Sequence, residues 1–130
     1  MTNKEIVTQF FMDGYVHLNF NNLLNIIAED YLDHSPCAAR SNKECIDILK
    51  NTAANFSNMQ IKICDLIEET DKVAVRVLFS CKHTGVIFNI PATNKNIQFE
   101  ALEIFRISNG KIVESWGYWP DMSIKEQVMS

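Results

Sequence analysis

An Asn-Gly pair between two alternating segments constrains the fold of this chain more than any other feature. The segments Asn96–Ile107 and Lys111–Trp119 flank Ser108-Asn109-Gly110. Both residues of an Asn-Gly pair tolerate positive φ, which the tight turns between antiparallel strands require. Alternation places every second side chain of a strand on the same face. The sequence therefore predicts a β-hairpin in the C-terminal part of the chain.

One face of the first hairpin strand carries an acid among apolar side chains. Glu103 lies between Ala101 and Phe105 in the alternation, and Phe99 extends the same face. This pattern predicts the wall of a pocket. A carboxylate is seldom buried without a partner. Glu103 is therefore expected either to pair with Arg76 on a neighbouring strand or to face solvent.

The second hairpin strand ends in aromatic residues followed by an acid: Trp116, Tyr118, Trp119 and then Asp121. In apolar, aromatic surroundings the charged form of a carboxyl group is poorly solvated, so the pKa of Asp121 is expected to rise toward neutrality. Such a group can act as a general acid and base. In the alternative interpretation, Asp121 is a turn residue after Pro120, a common position for aspartate.

The N-terminal half carries helix signals, and strand signals follow them. Capping boxes at residues 2–5 and 41–44 each open a segment with apolar residues at helical spacing. Asn21 or Asn22 is predicted to cap a helix between them, which leads into Tyr31–Pro36. Alternating segments follow at Gln60–Ile67 and Lys72–His83. Three helices followed by antiparallel strands indicate an α+β fold.

Composition limits the function classes. The 130 residues predict one domain, and a net charge of −4 without a basic cluster excludes a nucleic-acid surface. No apolar stretch reaches the ~18 residues of a membrane span, and the absence of secretory-signal features predicts a cytoplasmic protein. Cys37, Cys45, Cys64 and Cys81 show no C-x-x-C spacing, which favours free thiols and no metal site.

Several of these motifs together resemble the SnoaL-like polyketide cyclase (ester cyclase) family. The resemblance rests on His83-Thr84-Gly85, Ile90–Thr93, the FEALEIFRI run with NGKIVE after it, the tryptophans before Asp121, and Tyr31–Pro36 upstream. The family belongs to the nuclear-transport-factor-2-like, or ketosteroid-isomerase-like, superfamily. The resemblance implies a single cystatin-like domain over residues 1–130. In it a cone-shaped, curved, mainly antiparallel sheet wraps around three N-terminal helices.

The chain departs from the family pattern in the segment between the second and third predicted strands, Lys72–His83 and Asn96–Ile107. Asn89 and Asn94 stand where the family has glycine, and Ala92 stands where it commonly has proline. Asparagine tolerates the left-handed conformation, so the turns are expected to survive. This loop is expected to lie over the pocket.

The resemblance also implies an activity. It predicts general acid/base chemistry without metal or cofactor, such as aldol-type cyclisation or isomerisation of a small apolar carbonyl compound. Asp121 would be the acid/base, assisted by His34 and His83. The residues predicted to bind the substrate are Tyr31, Phe56, Arg76, Phe79, Phe99, Glu103, Phe105, Trp116 and Trp119. Alternatively, His34 ends a helix, His83 packs under the loop, and most of the aromatic residues belong to the core.

Two rival functions share this fold. One is a non-catalytic module that binds a small molecule in the same cavity. The other is an accessory dimerisation domain with a filled core. The strands are apolar on both faces near their centres, which together with the resemblance predicts a homodimer through the outer face of the sheet. No phosphate-binding glycine loop, serine-hydrolase elbow or zinc-protease motif occurs.

Overall fold

A five-stranded mixed sheet curves around the N-terminal helices in the computed structural model, which describes residues 1–130. The helices are α1 (Asn3–Phe11), continued by a π-helical turn (Met12–Val16), α2 (Phe20–Ile26), α3 (Asn42–Asn55) and α4 (Asp121–Met129). The strands are β1 (Ile27–Asp33), β2 (Phe56–Glu69), β3 (Lys72–His83), β4 (Asn96–Ser108) and β5 (Lys111–Tyr118). None of the helices has the length and apolar character that crossing a membrane requires.

The strands lie in the order β1-β5-β4-β3-β2. β1 runs parallel to β5, and every other neighbouring pair is antiparallel. The predicted hairpin between β4 and β5 is confirmed. Ser108 pairs with Lys111, and Asn109 and Gly110 both have positive φ, at 51° and 75°.

The core lies between the concave face of the sheet and the helices. Along β3 and β4 buried and exposed residues alternate as predicted, with Phe79 and Phe105 among the fully buried side chains. From α1, Phe10 and Phe11 place their rings 5.2 and 5.6 Å from that of Phe105. The alternation therefore assigns one face of each strand to the core.

Local capping fixes where the helices begin. The Thr2 hydroxyl accepts a hydrogen bond from the Glu5 amide at 3.1 Å, and the Glu5 carboxylate accepts one from the Thr2 amide at 2.8 Å, which confirms the first capping box. Ser41 caps α3 through the amide of Glu44. The cap of α2 is Asn19, so the prediction of Asn21 or Asn22 is wrong.

Two elements were absent from the sequence-based prediction. The chain enters β1 directly at the end of α2, where a helix was expected to lead into Tyr31–Pro36. β1 has seven residues without regular alternation, and its partner strand lies about 80 positions later. Its pairing therefore cannot be recognised from a local pattern.

The second missed element is α4, which covers the sheet where β5 has ended. β5 stops at Tyr118, opposite Leu102, so β4 has no strand neighbour on that side near Gln98. There the Gln127 side chain accepts a hydrogen bond from the Gln98 amide at 2.9 Å and donates one to its carbonyl oxygen at 2.8 Å. One glutamine thus replaces a strand neighbour and covers an exposed sheet edge.

The segment between β3 and β4 is fastened to the end of α3. The amides of Thr84 and Gly85 both donate to the carbonyl oxygen of Asn55, at 3.0 and 2.9 Å. Asn89 and Asn94 are left-handed, with φ of 60° and 59°, so the turns persist without glycine as predicted.

Gly85 permits this close approach, and we expect Gly85→Ala to destabilise the fold. An added Cβ would lie 2.7 Å from the Cα of Asn55 and 2.8 Å from the carbonyl oxygen of Ala54. These are backbone atoms that cannot rotate away, so the free energy of unfolding should fall by about 1–3 kcal/mol in urea denaturation. Val86→Ala, at an exposed neighbouring position, is the control. If Gly85→Ala left the free energy of unfolding unchanged, the loop would be able to move away from α3 without cost.

Candidate active site

A cavity of about 180 Å³ lies between the concave face of the sheet and α3. Residues from both the helices and the sheet border it: Phe10, Tyr15, Tyr31, Asp33, Ser35, Pro36, Cys37, Cys45, Ile48, Leu49, Thr52, Glu103, Phe105, Ser115, Gly117, Trp119 and Asp121. Apolar and aromatic groups form most of the wall. The polar groups lie mainly on β1, β4, β5 and the segment after β1.

Glu103 is the most perturbed acid of the cavity. It lies on the inner face of β4, opposite Gly117 of β5. Its side chain is half-buried, but Oε2 is inaccessible to solvent and has no hydrogen-bond partner. Burial, with a further contribution from the charge of Asp33, raises the pKa of Glu103 to about 8. Near neutral pH this carboxyl group can therefore both release and accept a proton.

Both sequence-based expectations for Glu103 are wrong. It does not face bulk solvent, and it does not pair with Arg76. The Arg76 guanidinium lies on the outer face of the sheet, where it binds Asp65 at 2.6 Å and Glu100 at 3.0 Å. The reason is the strand alternation, since Arg76 belongs to the outward-facing set of β3 and Glu103 to the inward-facing set of β4.

Gly117 gives Glu103 its position. A Cβ on Gly117 would lie 2.6 Å from Cγ and 2.8 Å from Oε1 of Glu103. The glutamate side chain therefore lies flat against the backbone of β5. Gly117 was not predicted as a site residue, although a glycine inside a strand often marks such a close approach.

A pair of buried hydroxyl groups lies beside this acid. The hydroxyl oxygens of Tyr31 and Ser115 are 2.5 Å apart, and burial raises the pKa of Tyr31 above its ordinary value. The two groups have two hydrogens but form one mutual hydrogen bond, so one hydrogen remains for a ligand. Ser115 lies two residues from Gly117 on the same face of β5. Ser115 was not predicted, because a serine on a strand carries no distinctive signal.

Two further polar groups of the cavity, Asp33 and Cys45, are held by hydrogen bonds or stay protonated. Asp33 accepts hydrogen bonds from the amide and the hydroxyl of Ser35, at 2.8 and 2.7 Å. Burial raises the pKa of the Cys45 thiol to about 12, so it stays protonated and is a poor nucleophile. All four cysteines are free, as predicted.

The aromatic residues predicted to bind a substrate divide into wall and core. Phe105 and Trp119 line the cavity. Phe79 and Phe99 stack on each other at 5.0 Å and support Trp119 from behind, at 5.0 and 4.8 Å. Phe56 is buried opposite His83 at the start of β2, away from the cavity.

The three predicted catalytic residues lie apart. Asp121 is exposed at the mouth of the cavity, where it begins α4. His34 lies on the outer face, with Nε2 2.6 Å from Oε2 of Glu114 and its ring stacked on Trp116 at 5.1 Å. His83 is fully buried, and its Nδ1 lies 2.9 Å from the hydroxyl of Thr93. The fold therefore brings only Asp121 to the cavity.

Strand geometry explains the outward residues. Ser115 and Gly117 occupy the inner face of β5, so Trp116 between them must point outward. His34 follows Asp33 at the end of β1 and turns to the same outer face. The loop of residues 84–95 contributes nothing to the cavity wall, so the expectation that it lies over the pocket is wrong. Its bonds to Asn55 hold it elsewhere.

Solved structures of other proteins share the fold of this chain. TsrD from Streptomyces laurentii superimposes with a TM-score of 0.88 at 21% identity, over 97% of this chain and 94% of TsrD. IdmH from Streptomyces antibioticus gives a TM-score of 0.89 at 19% identity over the whole of both chains. A SnoaL-like polyketide cyclase from Agrobacterium tumefaciens gives 0.83 at 17% identity, over 98% of each chain. These likenesses show the fold.

Sequence comparison identifies the family itself. No curated protein sequence matches the chain. The family model described as SnoaL-like polyketide cyclase matches residues 5–128, which is nearly the whole chain. The predicted α+β architecture with N-terminal helices on a curved sheet agrees with this match. The chain belongs to the SnoaL-like polyketide cyclase family.

Proposed function

We propose that this protein is a cofactor-independent enzyme that moves a proton on the carbon next to a carbonyl group. Its reaction would be an aldol-type cyclisation, an isomerisation or a related step on a small apolar compound. Family membership supports the cyclase type of chemistry. The observation that carries the proposal is the unpartnered Glu103 carboxyl group in the cavity wall, whose pKa is about 8.

The first step is the removal of a proton. The ionised Glu103 takes the proton from the α-carbon, and the electron pair of that C–H bond forms an enolate. The negative charge develops on the carbonyl oxygen, where the free hydroxyl hydrogen of the Tyr31–Ser115 pair can stabilise it. Apolar walls restrict water, which strengthens this hydrogen bond.

The second step returns the proton. In a cyclisation the enolate carbon forms a bond to a second carbonyl carbon, and protonated Glu103 transfers its hydrogen to the new alkoxide. In an isomerisation the same hydrogen goes to a different carbon. Either course restores the starting state of Glu103 and requires no oxidant, reductant or metal.

This assignment differs from the role that family resemblance gives to Asp121. Asp121 is exposed at the first position of α4. A carboxylate at this position stabilises the helix through its dipole, which accounts for the residue without a catalytic role. Neither His34 nor His83 lines the cavity. We therefore propose Glu103 as the acid/base and keep Asp121 as the competing candidate in the test below.

We expect Glu103→Gln to lower the rate of proton transfer by about 10²- to 10⁴-fold. The measurement is exchange of the α-hydrogens of acetophenone in D₂O, followed by proton NMR with the rate without enzyme subtracted. Because the base is the ionised form, the wild-type rate should rise with pH and level off above a pH of about 8.

Glu100→Gln, on the outer face of the same strand, is the matched control and should exchange at the wild-type rate. Asp121→Asn should also retain most of the rate. Loss of exchange in Asp121→Asn with full activity in Glu103→Gln would reject Glu103 and restore Asp121. Binding of acetophenone without exchange in the wild type would favour a ligand-binding module.

The same carboxyl group should make stability depend on pH. Glu103 keeps its proton up to about pH 8 in the folded state, against a reference pKa of 4.5. Between these values the folded state binds more protons, so the free energy of unfolding falls with rising pH by about 1.4 kcal/mol per unit at most. Glu103→Gln removes this loss.

Urea denaturation of wild type and Glu103→Gln across this window tests the dependence. The free energy of unfolding of Glu103→Gln should increase relative to that of the wild type as pH rises toward 8. Above that pH the difference should stay constant. Glu100→Gln should follow the wild type. Parallel stability curves for wild type and Glu103→Gln would mean that the carboxyl group ionises freely and cannot have the proposed role.

We also propose that the protein acts in the cytoplasm, where free cysteines persist.

We further propose that the protein forms a homodimer through the outer face of the sheet. Ile67, Leu102, Ile104 and Tyr118 expose 65%, 67%, 42% and 66% of their surfaces on this face. Large apolar side chains grouped in this way are typical of an interface.

Sedimentation of wild type, Leu102→Glu and Val86→Glu tests the dimer. Leu102→Glu places a charge in the apolar face and should give a monomer, because an unpaired buried charge opposes association. Val86 is 59% exposed in the loop after β3, so Val86→Glu should remain dimeric. A wild-type monomer at micromolar concentration would contradict the proposal.

A further inference from the structure

The cavity is small for a ligand site. Its volume is about 180 Å³. Apolar cavities of about 150 Å³ hold one benzene ring, whereas drug-sized ligands occupy sites of about 300–1,000 Å³. Packed rings fix the wall, with Phe105 5.2 Å from Phe10 and Trp119 6.0 Å from Tyr15. Such packing resists expansion, so the volume admits one ring with a short substituent.

The charges of the cavity are all of one sign. Asp33, Glu103 and Asp121 border it, and no lysine, arginine or histidine does. Arg106 is bound to Glu114 at 2.8 Å, on a face of β5 that does not border the cavity. A ligand carboxylate or phosphate would therefore be desolvated beside acids without a cation to pair with it.

The unsatisfied polar groups match a neutral carbonyl compound. The cavity offers the Glu103 carboxyl group and one hydroxyl hydrogen from the Tyr31–Ser115 pair. The hydroxyl hydrogen can bind a carbonyl oxygen. Glu103 lies on the neighbouring strand, within reach of a carbon next to that carbonyl.

From volume, charge and donor placement together, we propose that the cavity selects an uncharged, single-ring carbonyl compound and rejects both anionic compounds and polycyclic ones. This inference rests on the proposed function in taking the cavity as the substrate site, and it names the substrate class of that site. Removal or masking of any carboxylate on the substrate must then precede this step.

NMR titration of the full-length, isotope-labelled protein with three probes tests the selection. Acetophenone is neutral with one ring, benzoate is an anion of similar size, and 2-acetylanthracene is neutral with three rings. Acetophenone should shift the signals of Tyr31, Ser115 and Gly117 in a saturable way. Above a pH of about 8, where Glu103 is ionised, benzoate should bind about tenfold or more weakly, because like charges oppose it. 2-Acetylanthracene should leave these signals unchanged.

A charge-removing variant tests whether the acids cause the discrimination. Above a pH of about 8, where Glu103 is ionised, Glu103→Gln should raise the affinity for benzoate relative to acetophenone. Glu100→Gln removes a charge from the outer face of the same strand and should leave the ratio at its wild-type value.

Three results would overturn the inference. These are equal affinity for benzoate and acetophenone, tighter binding of 2-acetylanthracene, or no effect of millimolar acetophenone on the cavity signals. The readout is binding, so its failure is distinct from failure of the catalytic proposal. Selective binding of acetophenone without hydrogen exchange would keep the substrate class and reject the enzyme.

Discussion

The register of the β4–β5 hairpin is the constraint on which the cavity depends. Side chains alternate across a strand, so a shift of one residue would exchange the two faces of β5. Ser115 and Gly117 would then leave the cavity, and Glu114 and Trp116 would enter it. The turn at Asn109 and Gly110, where both residues have positive φ, starts the pairing of Ser108 with Lys111 and of Ile107 with Ile112. An irregularity in β5 then shifts the register by one residue, so that Arg106 pairs with Glu114 and Glu103 with Gly117. The turn and this one-residue shift together decide which chemical groups the cavity contains.

The same register places a costly group against the backbone. Glu103 faces Gly117, and only a glycine leaves room for its side chain there. Oε2 has no hydrogen-bond partner, and burial opposes the charged form. A chain selected for stability alone would gain from an apolar residue at this position. Retention of an acid is a stability cost that the proposed proton transfer explains.

The parts of the molecule that were predictable from sequence are those set by neighbours in the chain. The Asn109–Gly110 turn, the alternating faces of β3 and β4, and the Thr2–Glu5 capping box depend on a few adjacent residues. The β1–β5 pairing depends on contacts about 80 positions apart. α4 shows only Ile124 and Val128 as buried residues, which is too weak a pattern to identify a helix.

The site was predictable only in part, for the same reason. Glu103 stood out because an acid in an apolar alternation is unusual, but the glycine opposite it could not be inferred. Ser115 and Gly117 are small residues whose role exists only through what lies opposite them. The sequence motif around His34 suggested a pocket residue, yet one further residue beyond Asp33 is enough to turn its side chain to the outer face.

Family resemblance and local geometry give different weight to the two acids near the tryptophans. The resemblance assigns the chemistry to Asp121 because of its place in the family motif, but in the fold this residue is exposed at the start of α4. The local geometry assigns the chemistry to Glu103, because burial raises the pKa of this group toward neutrality. A carboxylate shielded from water is a stronger base toward a C–H group than one that water solvates fully. On that physical ground we propose the acid in the cavity wall, rather than the exposed one at the mouth, as the group that performs it.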